Sequence, residues 1–269
     1  MSVTPVAIQG VRGGPDAATL RRDRWWLAPV LTVAALVAFV GYSTWAAFTN
    51  ADYYAGPELG RNLLSPFYSP CITNQCLAHP GSHPGLVFHW WNISPAILIL
   101  IFPTGFRLTC YYYRRAYYRS FWLSPPACAV ADAHPRYTGE TRFPLVLQNA
   151  HRYFLYFALV LNVILSVDAV EAYRFPGSGV GVSLGSLVLT ANAVLLWLYT
   201  LSCHSCRHLC GGQVDRFSEH PLRYRLWRAL TPLNARHMNF AWVSLAVVAL
   251  ADLYVRLVAS GTIHDPRII

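Results

Sequence analysis

Long apolar runs alternate along this chain with short arginine-bearing segments. Five runs are long enough to cross a bilayer as helices, a length that takes about 20 residues. They fall at approximately 26–48, 86–110, 153–172, 182–203 and 240–259. The second is the most interrupted, by Trp90, Trp91, Asn92, Pro95 and Pro103. Proline kinks a membrane helix, but neighbouring groups there can satisfy the freed carbonyls. The pattern predicts an all-α integral membrane protein, a single bundle of five transmembrane helices over residues 1–269. No cleavable leader is visible before the first run, so that run reads as a retained span.

The arginines give the bundle a direction. Arg12, Arg21, Arg22 and Arg24 precede the first span. Arg114, Arg115, Arg119, Arg136 and Arg142 follow the second, and Arg207, Arg216, Arg223, Arg225, Arg228 and Arg236 follow the fourth. The opposite loops carry only Arg61 and Arg174. The positive-inside rule then places the N-terminus in the cytoplasm and the C-terminus outside, in a multi-pass membrane protein. Composition agrees: 55% of residues are hydrophobic and 12% charged, where soluble domains carry about a quarter charged. The formal charge of +9 does not point to nucleic acid, because it is confined to alternate loops.

Chemistry-bearing residues gather at the arginine-rich ends of the spans. Three cysteines and two histidines fall within eight residues of LSCHSCRHLCGG: Cys203, His204, Cys206, His208 and Cys210. Cys110 closes the second span, His151 opens the third beside Arg152, and His237 opens the fifth beside Arg236. Four helices thus offer Cys110, His151, Cys203 and His237 at one depth. Two thiolates and two imidazoles are the ligand set of a Rieske-type two-iron two-sulfur cluster. His204 and Cys206 are alternates for that set. Helical periodicity puts Asn162 and Ser166 on the stripe of His151, and Asn192 and Tyr199 on that of Cys203, so His151 and Cys203 are expected to face the interior. The competing reading is a set of small apolar thiols and interfacial imidazoles.

Other features keep two readings open. In CITNQCLAHPGSH, Cys71, Cys76, His79 and His83 permit either a small metal site or, in an oxidising exterior, a Cys71–Cys76 disulfide. Asp168 and Glu171, and Asp252 with Arg256, suggest either proton movement or ion pairs, the latter with Arg256 and Arg174 as cations. The run Tyr111, Tyr112, Tyr113, Arg114, Arg115, Tyr117, Tyr118 and Arg119 fits lipid headgroups or a docked soluble partner. No nucleotide-binding fingerprint of the GxGxxG kind is present, so electrons reaching a membrane centre would have to come from a partner.

The stretches TGFRLTCYYYRRAYYRSFW, PLVLQNAHRYFLY, LSCHSCRHLCGG and LNARHMNFAWVSLAVVALADLYVRL together resemble the membrane anchor subunit of actinobacterial-type succinate dehydrogenases. The resemblance covers most of the chain from about residue 104 onward. It implies a subunit that holds a flavoprotein and an iron–sulfur subunit at the cytoplasmic face. That assembly would oxidise succinate to fumarate and pass electrons to a membrane quinone. Related five-span anchors often hold b-type haem through histidines at mid-helix. Here His89 and His151 lie near span ends and no span has a central histidine, which favours the Cys/His centre. Tyr156, Trp197 and Tyr199 are candidates for the quinone pocket from residue type and approximate depth. A b-haem anchor and a membrane metal transporter are the alternative readings.

Overall fold

The computed structural model describes residues 21–72, 94–133, 142–212 and 214–269. Its longer elements are helical: α1 (Leu27–Thr49), α2 (Pro95–Leu108), α3 (Tyr111–Ser120), α4 (Arg142–Glu171), α5 (Leu184–Leu201), α6 (His204–Gly211), α7 (Pro221–Ala235) and α8 (His237–Ala259). Two antiparallel pairs of two-residue strands accompany them: β1 (Tyr54–Ala55) with β2 (Leu63–Leu64), and β3 (Arg174–Phe175) with β4 (Gly179–Val180). Among the described residues four helices are long and apolar enough to span a membrane: Leu27–Thr49, Asn149–Glu171, Leu184–Leu201 and His237–Ala259. The α2–α3 pair would make a fifth if it is one broken span.

Two expected spans differ from the observed helices for local reasons. Residues 86–93 of the second lie outside the described residues, and the remainder is not one rod. Helix α2 begins with Pro95 in its first turn and stops at Thr109. There the hydroxyl donates to the Gly105 carbonyl at 2.7 Å, a side-chain bond that competes with helix continuation. Cys110 is extended (φ −64°, ψ 131°) and caps α3. The fourth span was expected to run to 203, but α5 ends at Leu201. Ser202 turns its hydroxyl back onto the Tyr199 carbonyl at 2.9 Å, and Cys203 is extended (φ −62°, ψ 141°) as the N-cap of α6. Gly212 follows α6 as its C-cap.

The chain forms two compact units, Met1–Val37 with Cys110–Gln148, and Ala38–Thr109 with Asn149–Ile269. In the second unit α5 and α8 pack through small residues. Ala169, Ala172, Leu189, Ala193, Ala251, Val255 and Val258 make one buried cluster. In lipid there is no hydrophobic drive between helices, so close backbone approach through alanine and dispersion contacts must supply the attraction. Helix α5 starts with a reciprocal cap: the Ser183 hydroxyl accepts from Ser186 N–H at 3.2 Å, and the Ser186 hydroxyl from Ser183 N–H at 3.0 Å. At the far end of the unit from the histidines, Tyr53 stacks on Tyr68 at 4.2 Å, and both pack with Phe67, Ala46 and Ala47. Cys71 is disulfide-bonded; Cys76, His79 and His83 of its motif lie outside the described residues.

Charged side chains pin this end. The Asp252 carboxylate is fully buried. It accepts from Arg256 Nε at 2.9 Å, from the Tyr42 hydroxyl at 2.5 Å and from the Ser65 hydroxyl. Arg256 donates onward to the carbonyls of Ala51 at 2.7 Å and Ala46 at 2.8 Å. One ion pair therefore joins α1, α8 and the loop that follows α1. Asp265 repeats the arrangement nearer the C-terminus, accepting from Arg61 Nε, the Tyr254 hydroxyl and Gly185 N–H, each at 2.7 Å. Of the two readings of Asp252 and Arg256, the structure shows the ion pair. Glu171 pairs with Arg174 at 2.9 Å.

Breaking a buried pair from one side strands the other charge, at a cost of about 3–5 kcal/mol. Asp252→Asn should lower anchor stability by about that amount. Thermal unfolding of the purified complex in detergent checks this; a midpoint equal to the parent's would show that the pair is not structural.

Candidate metal centre

Helices α2, α4, α5 and α8 bring His151, Cys203, Ser202, His237, Tyr199, Phe106, Arg107 and Thr109 together at one end of the second unit. His151 Nε2 lies 2.9 Å from Cys203 Sγ. Both residues are buried, at 5% and 1% exposure. The other ring nitrogen, Nδ1, meets the Thr109 hydroxyl at 3.0 Å. The break that ends α2 at Thr109 is thus also what presents this hydroxyl to the imidazole. Phe106, one helical turn back from Cys110, stacks on the His151 ring with centroids 4.6 Å apart and planes within 8°.

His237 is held in the same manner. Its Nδ1 meets the Ser202 hydroxyl at 2.8 Å, and its ring stacks on Tyr199 at 5.2 Å. In both histidines Nδ1 is engaged by a hydroxyl, so each ring turns its Nε2 the other way, which in His151 is toward the Cys203 sulfur. Fixing the distal nitrogen is how proteins set the orientation and tautomer of a ligating imidazole. Cys203 has a third local feature: its sulfur accepts the Ser205 N–H at 3.3 Å, at the first turn of α6. Such N–H···S bonds stabilise charge on a ligating sulfur.

The remaining candidates are distributed unevenly. Cys110 belongs to the first unit, where it caps α3. His204 is exposed but close enough to interact electrostatically with both His151 and His237. Cys206 is buried, and burial, followed by the neighbouring Cys210 thiol, pushes its pKa up to about 11. Among the described residues no three of His, Cys, Asp or Glu converge around a single point where a metal ion would fit. Tyr199 is buried in the cluster. Trp197 points to the α4 stripe and donates to the Ser166 hydroxyl at 2.9 Å. Tyr156 is 47% exposed on the outer face of α4.

Three residues join the site that the spacing of Cys and His does not reveal. Thr109 and Ser202 act as hydroxyl partners and carry no sequence signal beyond adjacency to Cys110 and Cys203. Arg107 did carry one, as a cation inside an apolar run. Its guanidinium donates to the Ala241 carbonyl at 3.1 Å and the Ser244 hydroxyl at 3.0 Å. It lies over the Tyr199 ring at 4.5 Å and interacts electrostatically with His237. The site therefore combines a thiol, oriented imidazoles, a phenol and one fixed cation in a water-poor setting.

Comparison with known proteins gives the chain a family. No curated protein matches the chain significantly. A solved structure, that of the Mycobacterium smegmatis Sdh1 complex in the apo form, contains a chain 52% identical to this one. The alignment covers 97% of each chain with a TM-score of 0.86. The family model for the actinobacterial succinate dehydrogenase subunit SdhC matches residues 27–261, which include every helix described above. The chain therefore belongs to the SdhC family of actinobacterial succinate dehydrogenase membrane subunits.

Proposed function

We propose that this chain is the membrane anchor and electron-relay subunit of a succinate:quinone oxidoreductase. In this reading Cys110, His151, Cys203 and His237 hold a Rieske-type two-iron two-sulfur cluster, with His204 and Cys206 as alternates. The observation that carries it is the burial of His151 and Cys203 side by side, with the Nδ1 atoms of His151 and His237 each fixed by a hydroxyl. The donor chemistry fits such a cluster: thiol and imidazole, buried, with an N–H directed at the sulfur. When bound, the group would supply one-electron transfer between a docked iron–sulfur subunit and quinone.

The chain's own residues then have distinct tasks. Thr109 and Ser202 orient the two imidazoles. Phe106 and Tyr199 cover their faces and exclude water. Arg107 places a fixed positive charge beside the site, which favours an added electron. Tyr199, with its ring between Arg107 and His237, is the best placed of the three aromatic candidates to contact a quinone headgroup. Trp197 lines the adjacent polar stripe, while Tyr156 faces away from it. The flavoprotein and iron–sulfur subunits would dock on the arginine-rich, cytoplasmic side. In the first unit, Arg114 lies over the Tyr111 ring at 4.6 Å and the Tyr118 ring at 6.0 Å. Arg115 is exposed beside them, and a surface of tyrosine and arginine suits a protein partner.

Three outcomes test these assignments. Replacing His151 and His237 together by Ala should abolish quinone reduction and leave succinate oxidation by a soluble dye intact. Retained quinone reduction would refute the ligand set. Arg107→Gln should lower the midpoint potential of the membrane centre by about 60 mV, the one-electron equivalent of about 1.4 kcal/mol. An unchanged redox titration would remove Arg107 from the electrostatics of the site. Arg115→Glu should shift succinate–dye activity from the membrane pellet to the soluble fraction at moderate salt, and full retention on membranes would place the docking surface elsewhere.

A further inference from the structure

Helix α7 is attached to the bundle along one face only. Trp227 sits so close to Gly211 of α6 that a methyl group there would approach its ring carbon to 2.3 Å, and Arg207 lies over the same ring at 4.2 Å. Arg223 donates to the carbonyls of Cys210 and Gly212, both at 3.0 Å. Arg207 donates to the Thr231 hydroxyl at 3.2 Å, and Asn234 to the Ser202 carbonyl at 2.8 Å. These contacts use the face bearing residues 223, 227, 231 and 234.

The rest of α7 is open. At 3.6 residues per turn Leu222, Leu226, Ala229 and Leu233 form one apolar stripe. Leu222 is 68% and Leu226 45% exposed. Arg225 flanks this stripe and Arg228 lies a further ~60° round the helix; with Ala229 they line a shallow surface depression among the described residues. Neither arginine makes an ion pair among the described residues; Arg228 only lies over the Tyr224 ring, at 5.7 Å. A single residue, Arg236, separates α7 from the membrane-spanning α8. The C-terminal end of α7 therefore adjoins the end of a membrane span, on the side rich in arginine.

We infer that α7 is an interfacial helix whose Arg225 and Arg228 bind the phosphate of an anionic phospholipid in the inner leaflet. The planar, forked donors of arginine match phosphate oxygens, and a neighbouring aliphatic stripe is what acyl chains require of such a helix. The charge is complementary to an anionic headgroup, and one residue joins α7 to the membrane-spanning α8. A protein partner is the poorer match. The open stripe is purely aliphatic, without the tyrosine and tryptophan anchors that mark interface cores and that α3 carries.

Photoactivatable phosphatidylglycerol, added to the purified native complex in phosphatidylcholine nanodiscs, tests the inference. Crosslinks should map to the α7 peptide, and should fall severalfold in an Arg225→Ser/Arg228→Ser double variant. They should persist in the Arg225→Lys/Arg228→Lys variant and resist competition by inorganic phosphate, which lacks acyl chains. If the serine variant fails to assemble, the native complex still decides the matter. Crosslinks that avoid α7, or equal labelling by photoactivatable phosphatidylcholine, overturn the proposal. So does loss of the soluble subunits from an assembled serine variant whose lipid labelling is unchanged, since the face would then serve a protein.

Discussion

A buried polar group in a bilayer has no water to turn to, so its partner must come from the chain itself. Much of this structure follows from that constraint. Asp252 is tolerable in α8 because Arg256, Tyr42 and Ser65 surround its carboxylate. The same pair then fixes the loop after α1, because Arg256 reaches the Ala46 and Ala51 carbonyls. Asn162 satisfies itself on the Thr200 hydroxyl at 2.9 Å, and so ties α4 to α5. Where the backbone breaks, at Thr109–Cys110 and Ser202–Cys203, hydroxyls take up the loose ends. Those breaks do not dissipate the helix ends at random. They deliver Thr109 and Ser202 to the two imidazoles.

This links the helix ends to the chemistry. An imidazole at a membrane boundary would ordinarily turn toward water. Here ring stacking on Phe106 and Tyr199 and a hydrogen bond to each Nδ1 hold both rings inside the bundle. Such preorganisation is what a metal or electron-transfer site requires, since the supporting groups set ligand orientation as much as the ligands do. Arg107 adds a charge that neither headgroups nor solvent can easily screen.

The helical class, the membrane setting and the inward facing of His151 and Cys203 were legible in the sequence, because hydropathy, arginine placement and the polar stripes report depth and facing. Depth alone does not report rotation about an axis. Tyr156 and Tyr199 therefore looked equivalent, yet one faces outward and the other lies against His237. Helix ends were less legible. Leu201 and Cys203 are equally at home in an apolar run, and only the back-bonding of Ser202 decides that the helix stops between them. Thr109 and Ser202 were invisible as functional residues because a hydroxyl within a membrane helix is usually satisfied by its own backbone. Arg107 was legible by the rule that an intramembrane cation marks function, but residue spacing drew attention to Cys and His first.

The central claim is that imidazole nitrogens of this chain bind a membrane-embedded iron–sulfur centre. Electron spin-echo spectroscopy of the reduced, purified complex tests it most directly. The account predicts a two-iron two-sulfur signal additional to those of the soluble subunits, with nitrogen couplings from two histidines that disappear when His151 and His237 are replaced. A reduced complex with no such nitrogen-coupled signal, or one whose membrane subunit shows a stoichiometric haem spectrum instead, would contradict it.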